Sequence, residues 1–173
     1  MQKLLLMLVA AALLAPVAAF ADTAPSPASA ANDLCKAQQK SLGSSFASTY
    51  GTNAGRSNAF GKCVSKNAQN AQNAVSNASK SCSAEETALG ATAFEQKYGA
   101  NGKPGSAGAA KDAMGKCVSS KVKSSVAAAA AAAPSALKSC KADRKSNASA
   151  FAATYGTGKD ALGKCVSTRA KTK

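Results

Sequence analysis

The sequence predicts an all-α chain: three tandem helical repeats, each stapled by a disulfide, behind a cleaved signal peptide. Three observations predict it. First, one phrase recurs. Ala-Phe-Gly-Lys-Cys-Val-Ser starts at Ala59, Ala-Met-Gly-Lys-Cys-Val-Ser at Ala113 and Ala-Leu-Gly-Lys-Cys-Val-Ser at Ala161. Phe-x-x-x-Tyr-Gly precedes each copy, from Phe46, Phe94 and Phe151, and a second cysteine lies further upstream at Cys35, Cys82 and Cys140. Such repetition defines the unit of the fold. Second, apolar residues recur at helical spacing. Leu34, Leu42, Phe46 and Tyr50 lie at multiples of four, Phe94 and Tyr98 follow Leu89 as an i, i+4 pair, and Ala148, Phe151 and Tyr155 share a face. No segment sustains a two-residue alternation of β-branched residues. Third, large apolar residues are scarce in the mature chain and nearly all fall in the repeats beside the cysteines, so such small, thin-cored units need covalent staples.

The elements follow in order. Residues 1–21 read as a signal peptide, with Lys3 as the positive start, an apolar run from Leu4 to Leu14 and an Ala19-Phe20-Ala21 cleavage site. That apolar run is short for a membrane span, and no later segment competes with it. No cysteine follows the site to take a lipid anchor. The mature chain is expected to lie outside the cytoplasm, secreted or associated with the cell envelope. Residues 22–31, rich in Pro, Ala and Ser, read as a flexible leader.

Repeat one covers residues 32–67, repeat two 79–123 and repeat three 135–170; residues 171–173 form a basic tail. Within each repeat the glycine after the tyrosine (Gly51, Gly99, Gly156) is expected to end a helix with positive φ. The loops that follow, 51–57, 99–111 and 156–159, differ in length and are therefore surface. The shortest places its flanking helices side by side and antiparallel. Asn58, Asp112 and Asp160 then stand as N-caps of the last helix. Gly61, Gly115 and Gly163, two before the second cysteines, imply close approach of another backbone, expected to be the first helix.

Six cysteines in an oxidising compartment read as three disulfides; six allow fifteen pairings. Repetition selects Cys35–Cys63, Cys82–Cys117 and Cys140–Cys165. A straight helix would hold the first pair more than about 10 Å apart, since residues rise 1.5 Å each and bonded Cα atoms lie within about 7 Å. A break in the first helix resolves this, at Gly43, at Gly90 and, one position earlier in register, at Asn147. The linkers are open to two readings. Phe60, Val64, Ala68, Ala71, Val75, Ala78 and Cys82 step by four and three, which continues the last helix of repeat one into repeat two; residues 67–77 also read as low complexity. Met114, Val118, Val122 and Val126 begin a second stripe, which Pro134 is expected to kink or end.

The Tyr-Gly-Thr and Ala-Phe-Gly-Lys-Cys-Val-Ser phrases resemble repeats of exported actinobacterial proteins to which no activity is attached. The resemblance spans most of the mature chain and implies export and repetition. Tyr98-Gly99-Ala100 departs from the Thr form, so that threonine is not expected to be essential.

Function is bounded by what the composition offers. Histidine is absent, which removes the commonest general base. No nucleophile elbow or phosphate loop occurs, and the eight carboxylates are scattered. Lone cysteines without Cys-x-x-Cys argue against a metal. No catalytic residue, cofactor or metal is expected. Without Lys3, 21 basic side chains face 8 acidic ones, a formal charge of +13. The expected role is non-enzymatic binding of an anionic envelope or matrix polymer through lysine-bearing helices. The candidate contacts are Lys62, Lys116 and Lys164 of the Gly-Lys-Cys phrases, together with Lys66, Lys121, Lys123, Arg169 and Lys171. Nucleic acid would bind only non-specifically, because the aromatics are expected in the core. The alternatives are a cationic membrane-active defence protein, or a secreted hydrolase inhibitor acting through residues 99–111. Asn77-Ala-Ser79 and Asn147-Ala-Ser149 match the glycosylation acceptor pattern.

Overall fold

The computed structural model describes residues 24–99 and 107–171, all helix and loop with no strand among them. The expected signal peptide lies outside these residues. Among the described residues seven helices follow in order: α1 (Pro27–Leu42), α2 (Ser45–Tyr50), α3 (Ala59–Leu89), α4 (Ala91–Tyr98), α5 (Ala107–Ser146), α6 (Ala148–Tyr155) and α7 (Ala161–Arg169).

The leader expected to be flexible enters the fold early. Ser26 caps α1, its hydroxyl oxygen accepting from the Ser29 amide at 3.1 Å, and Pro27 occupies the first turn where its missing N–H is harmless. Ala30 and Ala31 are buried.

Helices α1, α3 and α5 pack against one another, and the four short helices dock on them. The two long helices each cross a repeat boundary. α3 carries the second cysteine of repeat one and the first of repeat two; α5 does the same for repeats two and three. Of the two readings of residues 67–77, the continuous helix is the one observed. Pro134 does not end α5. Flanking residues Ala130, Ala133, Ala136 and Leu137 are buried, so packing on both sides outweighs the lost backbone bond.

The disulfides join Cys35 to Cys63, Cys82 to Cys117 and Cys140 to Cys165, each within one sequence repeat. All six cysteines are fully buried. Closing loops of this size contributes about 3–4 kcal/mol each on a chain-entropy account. The breaks that permit the bonds fall at Gly43 (φ 52°) and Gly90 (φ 79°). At Asn147 the break is made differently from the positive φ of the two glycines. Its φ is −144°, and its side-chain oxygen accepts from the Ala150 amide at 3.0 Å, so it starts α6 as an N-cap.

Other local expectations are revised. Only Gly156 of the three post-tyrosine glycines has positive φ (88°). Gly51 is required for room instead, since a Cβ there would lie 2.5 Å from Arg56 Cβ. Asn58 does not cap α3 through its side chain; it accepts from the Thr52 amide at 3.0 Å and donates to Thr52 Oγ1 at 2.8 Å, closing the loop. Asp160 makes no side-chain cap bond either. Asp112 falls inside α5, which begins at Ala107 and so shortens the expected 99–111 loop. Leu89, ahead of the Phe94–Tyr98 pair, is exposed.

The repeats do not each keep a core. Leu42, Phe46 and Tyr50 of repeat one cluster with Leu137, Phe151, Leu162 and Val166 of repeat three. Repeat two packs Phe94, Val118 and Val122 against Ala30 and Ala31 of α1. The Phe–Tyr pairs adopt one geometry throughout, with ring centroids 5.2, 5.0 and 5.0 Å apart and tilted planes, a contact of about 0.5–1.5 kcal/mol beyond area burial.

Candidate functional site

Each sequence repeat places the same three-part polar clamp beside its disulfide. The parts stand three residues after the first cysteine (Gln38, Glu85, Asp143), at the tyrosine (Tyr50, Tyr98, Tyr155) and four after the second cysteine (Asn67, Lys121, Arg169). In repeat one the Tyr50 hydroxyl donates to Gln38 Oε1 at 2.8 Å, and Asn67 Nδ2 donates to the Cys63 carbonyl at 3.1 Å. In repeat two the Tyr98 hydroxyl donates to Glu85 Oε1 at 2.8 Å, and Lys121 Nζ pairs with Glu85 Oε2 at 2.9 Å. In repeat three Arg169 pairs with Asp143, and Tyr155 is the chief influence raising its guanidinium. The clamp is neutral where Gln38, Tyr50 and Asn67 are fully buried, and charged where its members reach solvent. That is the order desolvation demands, because a buried ion pair must recover the hydration of both partners.

These clamps reassign two of the candidate contacts. Lys121 and Arg169 are structural partners as well as surface cations. Glu85 is held down to about 2 by hydrogen bonds from Lys97, Lys121 and Tyr98. Arg169 is raised above its ordinary value, first by its bond to Tyr155. Burial raises the Tyr50 hydroxyl, against hydrogen bonds from Ser167 and Asn67.

The Gly-Lys-Cys lysines are not equivalent. Lys116 and Lys164 each pair with the aspartate one turn earlier, Asp112 at 2.5 Å and Asp160 at 3.3 Å. In repeat one that place is Asn58, and Lys62 stands exposed with no ion pair among the described residues. Lys66 reaches across the bundle to Asp160 at 2.7 Å. Asp160 thus serves two lysines, and its carboxyl is lowered, chiefly by Lys66. Lys123 and Lys171 are exposed and likewise unpaired among the described residues.

Two adjoining grooves collect part of this set. The smaller, about 170 Å³, is lined by Lys66, Gln69, Asn70, Lys164, Ser167, Thr168 and Lys171. The larger, about 310 Å³, lies between α3 and α5 and shares Asn70 and Lys171 with the first. Its floor is one face of α3, where Asn70, Asn73, Asn77 and Ser81 follow steps of three and four. Lys121 and Ser125 of α5 form the opposite wall. No carboxylate lines either groove. The structure therefore brings together Lys66, Lys121, Lys164 and Lys171, and leaves Lys62, Lys116, Lys123 and Arg169 outside both grooves.

Sequence reasoning missed the amide floor. Its signal was present: six of the eleven residues from Asn67 to Asn77 are Asn or Gln. Asn is a poor helix former, so its repetition inside a helix asks for another use. Asn70 has a structural one, donating to the Ser167 carbonyl at 2.9 Å and so tying α3 to α7. Asn77 is exposed in the groove, and Asn147, the other glycosylation-pattern residue, is exposed while capping α6.

No helix among the described residues is long and apolar enough to cross a membrane. Compared with protein-family models, with curated proteins and with solved structures, the chain finds no match.

Proposed function

We propose that this is an exported, non-enzymatic protein that binds a polyanionic component of the cell envelope or matrix, with the lysine-lined grooves as its contact. The observation that carries this reading is the sharing of carboxylates. Asp160 serves both Lys66 and Lys164, and Glu85 serves both Lys97 and Lys121. At each centre one positive charge is left over, and Lys171 adds another with no carboxylate beside it among the described residues. The lysines are thus held in place by partners that do not cancel them. An anion entering the grooves meets preplaced ammonium groups and side-chain hydroxyls, with nothing of its own sign on the walls.

Membrane attack is less well supported. It needs an exposed apolar face, and Leu89 is the one large apolar residue exposed among the described residues.

Retention of the mature protein on an anionic polymer, read against salt, tests the proposal. Binding at low salt that falls steeply once the Debye length shrinks below about 10 Å supports it. Undiminished retention at high salt, or none at low salt, refutes it. Lys171→Glu, on an exposed residue after α7, is expected to weaken binding without altering the helical spectrum.

A further inference from the structure

We infer that the groove between α3 and α5 is built for an acidic glycan, a sugar polymer carrying carboxylate or phosphate groups, rather than for a bare polyanion or a nucleic acid. The inference rests on the polyanion reading above and deepens it. Its observation is separate: the floor carries amides, not charge. Asn70, Asn73, Asn77 and Ser81 run along α3 on one face, a rise of about 17 Å at 1.5 Å per residue. Lys121 and Lys171 flank this row, and Ser125 faces it.

A carboxamide presents both a donor NH₂ and an acceptor oxygen, and a hydroxyl presents both functions on one atom. A polyphosphate chain consists of acceptors at neutral pH. It can use the amide N–H groups, but it sets its own oxygens against the amide oxygens. A glycan differs, since each sugar hydroxyl donates as well as accepts and satisfies both ends of the amide. Part of the row is already ordered, as Gln69 Nε2 donates to Asn73 Oδ1 at 3.0 Å. Asn77, exposed at the middle of the row, has no side-chain partner among the described residues. The lysines at the margins supply the attraction for the acidic substituents. Nucleic acid fits less well, because neither an aromatic ring nor an arginine lines the groove to stack on a base.

The test compares three immobilised probes, polygalacturonate, inorganic polyphosphate and single-stranded DNA, for the mature protein, for Asn73→Ala/Asn77→Ala and for Lys171→Ala. Both asparagines are exposed on α3, and thermal melting checks that the fold is kept. The double asparagine variant should lose about tenfold in affinity for polygalacturonate, the worth of one or two net hydrogen bonds, and stay within about twofold on polyphosphate. Lys171→Ala should weaken both. Equal effects of the asparagine variant on the two anions, or no effect on either, overturn the inference. So does DNA bound more tightly than polygalacturonate. Lysine-dependent binding of polyphosphate alone overturns it while the polyanion reading stands; no binding of any probe at low salt removes that reading as well.

Discussion

Gly163 lies against Tyr50. A Cβ on Gly163 would stand 2.9 Å from Tyr50 Cδ1 and 3.1 Å from the Thr49 carbonyl oxygen. The glycine is in α7 of repeat three and the tyrosine in α2 of repeat one, so this is where the first and last repeats meet. The close approach anticipated for this glycine is real, but its neighbour is α2 rather than the first helix. Gly61, at the matching place in repeat one, has nothing within 4 Å. The same residue in the same phrase therefore answers to different constraints: the third copy faces a ring that cannot move aside, and the first faces open space.

Gly163→Ala and Gly61→Ala should accordingly act in opposite directions. Tyr50 is 1% exposed and held through its hydroxyl, so it cannot give way cheaply. Overpacking there should cost about 1–3 kcal/mol. At Gly61, exposed in the first turn of α3, alanine should gain up to about 1 kcal/mol from helix propensity alone. Denaturant melts of the two variants check this; two shifts of the same sign would contradict the assignment.

Glu85 makes the fold sensitive to acid. Its carboxyl is lowered from 4.5 to about 2 by Lys97, Lys121 and Tyr98. The folded state therefore holds the proton less tightly than the unfolded one. The stabilisation is complete above the unfolded value near 4.5 and is lost as pH falls toward 2. Asp160, lowered by Lys66, acts in the same sense. Glu85→Gln recreates in repeat two the neutral acceptor that repeat one already has in Gln38. Its melting temperature should fall less steeply than that of the parent between pH 5 and pH 2. Parallel curves would show that the clamp carries no pH dependence.

What the sequence made legible was whatever a repeat states about itself. The cysteine partners follow because each repeat has its own two. The breaks at Gly43 and Gly90 follow because a straight helix could not bring those cysteines together. Relations between repeats were hidden. Nothing in Phe46 or Phe151 says that they share a core, because that depends on how α3 and α5 fold the chain back. The caps stand where the repeats place them, at Asn58 and Asp160, but without the expected side-chain bonds, for a similar reason. Asn58 and Asp160 are sound N-cap residues, but Thr52 and Lys66 claim their oxygens once the loops and helices have packed. The clamps were readable as fixed offsets from the cysteines and went unread because Gln, Glu and Asp, like Asn, Lys and Arg, do not look alike in a repeat.

Pro134 is exposed in the middle of α5. It has no N–H to offer the carbonyl one turn earlier. Pro134→Ala should stabilise the protein by about 2–3 kcal/mol, the interior cost of proline less the loosening of the unfolded chain, about 0.4–1 kcal/mol. A lowered denaturation midpoint would mean that the proline fixes a bend on which the packing of α6 and α7 depends.

The shared core predicts how damage spreads. Replacing Cys140 and Cys165 together by alanine removes one staple, about 3–4 kcal/mol on the chain-entropy account. If the three repeats were separate units, amide exchange would quicken in α6 and α7 alone. Here Leu42, Phe46 and Tyr50 rest on Leu137, Phe151, Leu162 and Val166, and Asn70 of α3 holds the end of α7. Loosening repeat three must therefore uncover α2 and the end of α1. Exchange in residues 42–50 should rise together with that in 148–169, while α4 of repeat two, packed in the other cluster around Phe94, keeps its protection. Quickened exchange confined to repeat three would show that its contacts with repeat one add little to stability, and that each disulfide holds its own unit after all.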